Sequence, residues 1–600
     1  MFFKKLFHDF LVWRVRNISN KNFIFLLSFL VGICGGLAAV LLKTTVHTIG
    51  TLLINSFNNI YESYWFFIFP LIGILLTILY KYAFMKGKIG GGIPNLLHAI
   101  THKSGLVEKD KMYSHLISSS VTVGFGGSVG LEAPIVTTGA ALGSNLGRWF
   151  HLGHKKRTLL IGCGAAAGIA GIFNSPIAGV IFTLEVLMLE LSIPAYIPLL
   201  IAAVTAALIS KYLTGGEILF NFQITDTFQI SEVPLYIMLG IICGLLSVYF
   251  TRLTFRIESD LRHFTHPLKR ALIGGSGLGL LIFLFPPLYG EGYVTLTRLI
   301  DNESAAIISE SFFLEDNTNQ WVFLLFMAGV LAFKVFATSF TIGAGGNGGV
   351  FAPSMFVGGL SGFVMARFLN LTGFLSNPLS EKNFILVGMA GVCSGVLHAP
   401  LTAIFIIAEI TGGYILMLPL MIVSAIAFAT TMYFEPHSLY TKQLALRGLL
   451  VFHNRDKTVL TLLRLQRLIE TDLVVVHPEA WLEDLVKAVS RSRRNIFPVV
   501  DEHEKIHGVI LLDDIRELMF KPKQYKLVQI KDLMHAPSDY VYIDEDMDSV
   551  MKKFDTTGDW NLPVINHDRK YIGFLSKSKI FNHYRTQLIK QGQEDEQIID

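Results

Sequence analysis

Glu132 is a carboxylate set in a glycine-rich stretch, Gly127–Pro134 (GSVGLEAP), and followed by an uncharged run, Ile135–Leu146. Glycines and then a proline predict a loop feeding a helix, with Pro134 at the first helical position. A helix N-terminus presents unpaired N–H groups and about half a positive charge, so it attracts anions. A glutamate there has two readings. It is an ordinary N-cap acid, or it is itself an anion that competes with a free one.

The surroundings separate these readings. Of the 600 residues, 52% are hydrophobic and only 16% charged, and the mean hydropathy is +0.51. Soluble domains carry about 25% charged residues, so much of this chain must meet lipid. A carboxylate buried among lipid-facing segments is costly, which favours a functional Glu132. Acids and bases crowd after about Arg447, predicting a membrane domain followed by a soluble tail. A net charge of +4 gives no case for nucleic acid. The cysteines, Cys34, Cys163, Cys243 and Cys393, are far apart in apolar runs and suggest no disulfide framework.

Met1–Asn22 mixes Phe2, Phe3, Phe10 and Trp13 with Lys4, Lys5, Arg14 and Arg16, and reads as an interfacial helix on the cytoplasmic side. Phe23–Leu42 and Trp65–Tyr82 are long enough to cross a bilayer core of about 30 Å. Later segments are short and broken at Gly90–Pro94 (GGGIP), Gly127–Pro134, Phe173–Pro176 (FNSP), Gly345–Pro353 (GGNGGVFAP) and Leu397–Pro400 (LHAP). Broken helices survive in lipid only where they are buried in protein or line a polar cavity. In transporters they build ion sites.

The breaks repeat. GSVGLEAP aligns with GNGGVFAP, placing Pro134 and Pro353 219 residues apart, and Gly139 and Gly143 fall on Gly358 and Gly362 at the same spacing. FNSPIAGVIFTLE aligns with LHAPLTAIFIIAE, placing Glu185 and Glu409 224 residues apart. A duplicated half with paired broken helices points to a site at the interface between the halves.

At GGGIP, GLEAP (Gly130–Pro134), GVFAP (Gly349–Pro353), FNSPIAG, HAPLTAIF and SLYTKQL (Ser438–Leu444), the chain from Phe23 to about Leu450 closely resembles the CLC family of chloride channels and anion/proton exchangers. The resemblance implies an all-α polytopic membrane protein built from an inverted repeat of broken, tilted helices. It also implies a homodimer with one pore in each subunit, multi-pass in the cell membrane. By this likeness Val350, Phe351 and the Tyr440 hydroxyl hold a central anion. Amides of Leu131, Ala133, Phe351 and Ala352 line an outer site, and Gly90 and Gly91 an inner one. Amide dipoles and hydroxyls of this kind replace water without trapping the ion. Glu132 is then the gating glutamate, filling an anion position when ionised and swinging away when protonated.

Three positions depart from the family pattern. Gly91 stands where the family has its central-site serine, which leaves open whether chloride is the sole anion; Pro134 is intact, which argues against fluoride specificity. Leu131 replaces a frequent cation and so removes positive charge from the pore mouth. The internal proton-relaying glutamate of well-coupled exchangers corresponds to Val186. Valine carries no proton, and this favours a passive voltage- or pH-gated channel. Some exchangers lack that acid and still couple, so anion/proton antiport through the same site is the alternative, with Glu185 either an entry for protons or a helix-end acid matched by Glu409.

The tail, 464–590, follows a linker, 451–463, and has its own repeat. NIFPVVDEHEKIHGVILLDDI (Asn495–Ile515) aligns with WNLPVINHDRKYIGFLSKSKI (Trp560–Ile580), with Pro498 and Pro563 65 residues apart. Each unit predicts an amphipathic helix, a strand–turn–strand and a second helix. This resembles an α/β tandem CBS-domain pair, about 464–525 and 526–590, on the cytoplasmic C-terminus. Such pairs can bind ATP, ADP or AMP through a hydroxyl residue and an acid three positions later. Here the pairs are Leu511 with Asp514 and Ser576 with Lys579, so each repeat keeps half of the pattern. A nucleotide sensor using Asp514 and Ser576 and a purely structural, dimer-stabilising pair both stand. The acidic segment 591–600 predicts disorder.

No cofactor is required by this reading; the bound ion is chloride or a similar small inorganic anion. A CBS-bearing divalent-metal transporter would need clustered intramembrane carboxylates, where this chain has glycines. An enzyme would need a nucleophile–base pair or metal-ligand spacing, and the apolar half offers neither.

Overall fold

The computed structural model describes residues 9, 13–14, 16–56, 67–85, 87, 92–187, 195–215, 228–309, 311, 319–375, 377–446 and 465–596. Most of the expected N-terminal helix before Trp13, the linker 451–463, and residues 597–600 lie outside this set. Two compact units divide between Leu450 and Val451.

The first unit is helical. Among the described residues, 8 helices are long and apolar enough to cross a membrane. Helix α1 runs Asn20–Ser56, well past the predicted end at Leu42. Nothing beyond Leu42 breaks it, and Thr45, Thr48 and Thr51 donate their hydroxyls to carbonyls of Leu41, Thr44 and His47. Helix α2, Phe69–Met85, starts later than the predicted Trp65. The short helices α3 (Gly92–His102) and α4 (Ser114–Gly124) follow.

Two matching runs of helices carry the repeat. The first is α5 (Glu132–Trp149), α6 (His154–Phe173), α7 (Pro176–Glu185) and α8 (Tyr196–Leu213). Between the runs lie α9 (Val233–Arg262), α10 (Pro267–Leu284), α11 (Tyr293–Ile300), α12 (Ser304–Ser309) and α13 (Gln320–Ala344). The second is α14 (Phe351–Thr372), α15 (Glu381–Leu397), α16 (Pro400–Ile410) and α17 (Met417–Phe434), and α18 (Leu439–Ala445) closes the unit.

The repeated glycines are helix crossings. A Cβ on Gly143 would stand 1.9 Å from the Leu160 carbonyl oxygen, and one on its counterpart Gly362 would stand 1.9 Å from that of Phe384. Gly139 and Gly358 meet Gly164 and Gly388 in the same way, at 2.1 and 2.2 Å. These contacts bring α5 onto α6 and α14 onto α15 backbone to backbone, the mode by which small residues hold membrane helices together. Gly143→Ala or Gly362→Ala should force the pair apart and lower stability by about 1–3 kcal/mol, read by unfolding in detergent. Gly50→Ala, where a Cβ meets nothing within 4 Å, should leave stability unchanged or slightly raised.

Between α6 and α7 the chain turns through Asn174 at φ +55°, and between α15 and α16 through His398 at φ +55°. Pro176 and Pro400 then open the next helix at its first turn. Glu185, at the end of α7, accepts from the Leu401 and Thr402 amides at the start of α16, at 3.0 and 2.7 Å. Glu409, near the end of α16, accepts from the Ile177 and Ala178 amides at the start of α7, at 3.1 and 2.9 Å. Each half thus caps the other half's orphan N–H groups. When residue i meets j′ and j meets i′, the two parts are related by a two-fold axis.

The second unit is α/β. Helix α19 (Leu482–Arg491) precedes the antiparallel pair β1 (Ile496–Val500) and β2 (Ile506–Leu511) and the short α20 (Leu512–Ile515). The second repeat has β3 (Val541–Tyr542), α21 (Met547–Thr557), β4 (Asn561–Ile565), β5 (Tyr571–Ser576) and α22 (Lys577–Glu596), with sheet order β3-β4-β5. The lead-in to each repeat pairs with the other repeat, Glu470 with Phe574 and His535 with Val509, which is again two-fold reciprocity. In the turn after β1, Asp501 accepts from the His503 and Lys505 amides and pairs with His507 at 2.8 Å. Those partners, His507 first, hold its carboxyl down to about 2. Helix α22 runs as far as Glu596, into the acidic segment 591–600.

Candidate functional site

Two loops meet at the centre of the first unit, one leading from α4 into α5 and the other from α13 into α14. Gly130 and Gly349 exchange both backbone hydrogen bonds, at 2.9 and 2.7 Å, so the starts of α5 and α14 are locked together. Matching threonines hold the loops: Thr341 accepts the Ser128 amide and Thr122 accepts the Asn347 amide, each at 3.1 Å. Both pairs sit at the 219-residue spacing of the repeat. The prolines do not open these helices as expected. Glu132 and Phe351 are the first helical residues, and Pro134 and Pro353 are third. The first turn has no intrahelical N–H partners, so proline is tolerated throughout it.

Glu132 is 2% exposed. Its Oε1 accepts from the Tyr293 hydroxyl at 2.8 Å. Its Oε2 folds back over Gly130, where a Cβ would lie 2.0 Å from it, and makes no hydrogen bond of ordinary geometry. The amides of Glu132 itself and of Ala352 face the carboxylate. The acid therefore sits at the junction of two helix N-termini, where a free anion would be stabilised.

On the far side of Ala133 and Val350 lies a cavity of about 250 Å³ that also reaches Pro94 and Tyr440. The Tyr440 hydroxyl is buried and has no hydrogen-bond partner in the chain. Ser438 accepts the Thr441 amide and so fixes the start of α18 that presents Tyr440. Lys81, Arg262 and Arg270 bring positive charge to the cavity wall, and Arg262 is paired with Glu258 at 2.9 Å. His115 lies on the same wall, its Nδ1 3.2 Å from Asn347 Nδ2. A donor without a partner beside a cationic cavity suits a small anion as cargo.

The sites expected from sequence divide as follows. Ala133, Val350 and Tyr440 share the cavity, Ala352 faces Glu132, and the Phe351 ring packs 5.6 Å from that of Phe173. Gly90 and Gly91 lie outside the described residues. The Leu131 amide, expected in the outer anion site, donates instead to Glu291 Oε1 at 3.2 Å. Val186 is buried at the end of α7. Glu185 is a helix cap, taking the Thr402 hydroxyl at 2.7 Å as well as its two amides. In the second unit, Asp514 accepts the Leu511 amide at 2.9 Å and meets His535 at 3.4 Å. Ser576 donates to Glu470 at 3.1 Å, and Arg494 holds that acid from its other oxygen at 3.1 Å.

Three residues escaped the sequence reading: Glu291, Tyr293 and Lys334. Lys334 is fully buried, donates to the Gly290 carbonyl at 2.9 Å and lies 4.7 Å over the Phe356 ring. A lone cation within an apolar 25-residue helix was signal enough. Glu291 and Tyr293 stand in GEGY (Gly290–Tyr293), a glycine break carrying an acid, but one without the closing proline shared by the other breaks.

The profile of a family described as "Voltage gated chloride channel" matches residues 72–432, and that of the CBS domain matches 465–521 and 530–585. A "Putative chloride channel protein ClcB-like" of Ralstonia nicotianae is 29% identical over 391 residues, covering 64% of this chain and 84% of that protein. An "H(+)/Cl(-) exchange transporter ClcA" of Vibrio cholerae is 26% identical over 425 residues, covering 68% and 87%. A crystal structure of a slow cyanobacterial Cl-/H+ antiporter aligns with TM-score 0.60 at 23% identity, covering 71% of this chain and 98% of its own.

Proposed function

The chain belongs to the voltage gated chloride channel family, a multi-pass membrane family that moves anions, and we propose that it conducts chloride or a similar small anion passively along a path gated by Glu132. The observation that carries this is the buried Glu132 carboxylate folded over Gly130 at the junction of two helix N-termini. It fills the place an anion would take, and the Tyr440 hydroxyl waits without a partner beyond it. Val186 in place of the internal proton acid supports a channel, as does the engagement of Glu185 in capping α16. Antiport is the second reading, supported by likeness to an exchange transporter. The test is chloride efflux from loaded proteoliposomes after valinomycin. Fast release is expected, and release no faster than from empty liposomes would refute the reading.

In this proposal two copies form a dimer with one pore each, and the N-terminus and CBS pair face the cytoplasm of a cell-membrane protein. The CBS pair is a structural module, because Asp514 and Ser576 are already held by His535 and Glu470. Calorimetry of the full chain with about 1 mM ATP, ADP or AMP should then give no saturable heat. A saturable heat with any of them would make the pair a sensor.

A further inference from the structure

We propose that Glu291 is a second anion-displacing carboxylate of this path, which occupies the Leu131 amide and yields it only when protonated or outcompeted by the permeating anion. The proposal rests on the reading of Glu132 as the gate. Leu131 is the cap residue of α5, immediately before Glu132. The Leu131 N–H is donated to Glu291 Oε1. In the anion path proposed above, the Leu131 amide is one of the outer donors, so Glu291 must leave before an anion there can take it.

The loop that carries Glu291 is a built support. The Gly290 amide donates to the Gly126 carbonyl at 3.1 Å, and the Gly290 carbonyl accepts Lys334 Nζ. Gly292 sits at φ +99° with room for no Cβ, since one would lie 2.4 Å from the Phe356 ring; only glycine serves there without strain. Two residues beyond Glu291, Tyr293 donates to Glu132. One short loop therefore holds both carboxylates, Glu291 on the amide before Glu132 and Tyr293 on Glu132 itself.

The charged and titratable groups around the pair come from several elements. Lys334 of α13, Lys43 of α1 and Glu132 of α5 are within electrostatic reach of Glu291. Cys393 of α15 joins Glu132 and Glu291 around Tyr293. Glu291 is partly buried, whereas Glu132 is enclosed. A protonated acid is a much weaker acceptor than a carboxylate, so protonation frees the Leu131 amide.

Equilibrium chloride binding to the full chain in detergent tests this, by calorimetry on Glu132→Gln and on Glu132→Gln combined with Glu291→Gln or Glu291→Asp. Relative to Glu132→Gln alone, adding Glu291→Gln should tighten chloride binding about tenfold near neutral pH. It should also abolish the remaining pH dependence of that affinity. Glu291→Asp is too short to hold the amide but keeps its charge, so it should tighten binding while retaining pH dependence. The Asp variant alone decides the matter if the Gln variant does not fold. Unchanged affinity and pH dependence would overturn the proposal and leave Glu291 a structural cap. Chloride binding absent from every protein, including Glu132→Gln, would instead refute the underlying anion-path reading.

Discussion

Replacing Glu132 by Gln should remove most of the pH dependence of chloride flux. Glutamine keeps the shape of the protonated acid and cannot occupy the path as an anion. In the wild type, the Glu132 carboxyl group lies folded at the meeting of α5 and α14, held by the Tyr293 hydroxyl. Flux should rise as pH falls, by up to about tenfold per pH unit if one group titrates. The Gln variant should conduct faster than the wild type at neutral pH, and its flux should vary several-fold less than that of the wild type between about pH 5 and about pH 8, with Glu291 supplying the dependence that remains. Efflux from liposomes buffered at each pH measures it. A Gln variant with the wild-type pH response would remove Glu132 from the gate.

Glu185→Ala should have the largest effect on stability. It strips two amides and a hydroxyl from their acceptor at the start of α16 and removes a negative charge from a helix N-terminus. Charge-assisted hydrogen bonds and the helix dipole together suggest a loss of about 3 kcal/mol. Glu409→Ala should cost about as much, because the Ile177 and Ala178 amides lose their acceptor in the mirror arrangement. Denaturant unfolding in detergent reads the loss. Flux per folded protein and its pH response should be unchanged in Glu185→Ala. An unaltered stability with a shifted pH response would make Glu185 a proton entry instead of a cap.

The duplicated parts were legible in the sequence for a physical reason. Two copies of one helix crossing need glycine at the same places, so Gly139 and Gly143 reappear as Gly358 and Gly362. The same holds for the αL turns at Asn174 and His398, and for the paired strands of the second unit. Position gave the equivalence of Glu185 and Glu409, but only folding shows that each caps the other's helix. Helix starts were misplaced by two residues at Glu132 because proline is compatible with any position in a first turn. Glu291 and Tyr293 have no counterpart in the other half and meet α5 across about 160 residues of chain, so no local pattern announces them. Glu470 and His535 likewise lie outside the aligned CBS motifs, yet they are what hold Ser576 and Asp514.

The most direct test of passive, Glu132-gated anion conduction is the reversal potential of the purified protein in a planar bilayer, under a fixed chloride gradient, with and without a pH gradient. The potential is expected to sit at the chloride equilibrium value and not to move when the pH gradient is imposed. A shift with pH at constant chloride would contradict it and establish proton-coupled exchange.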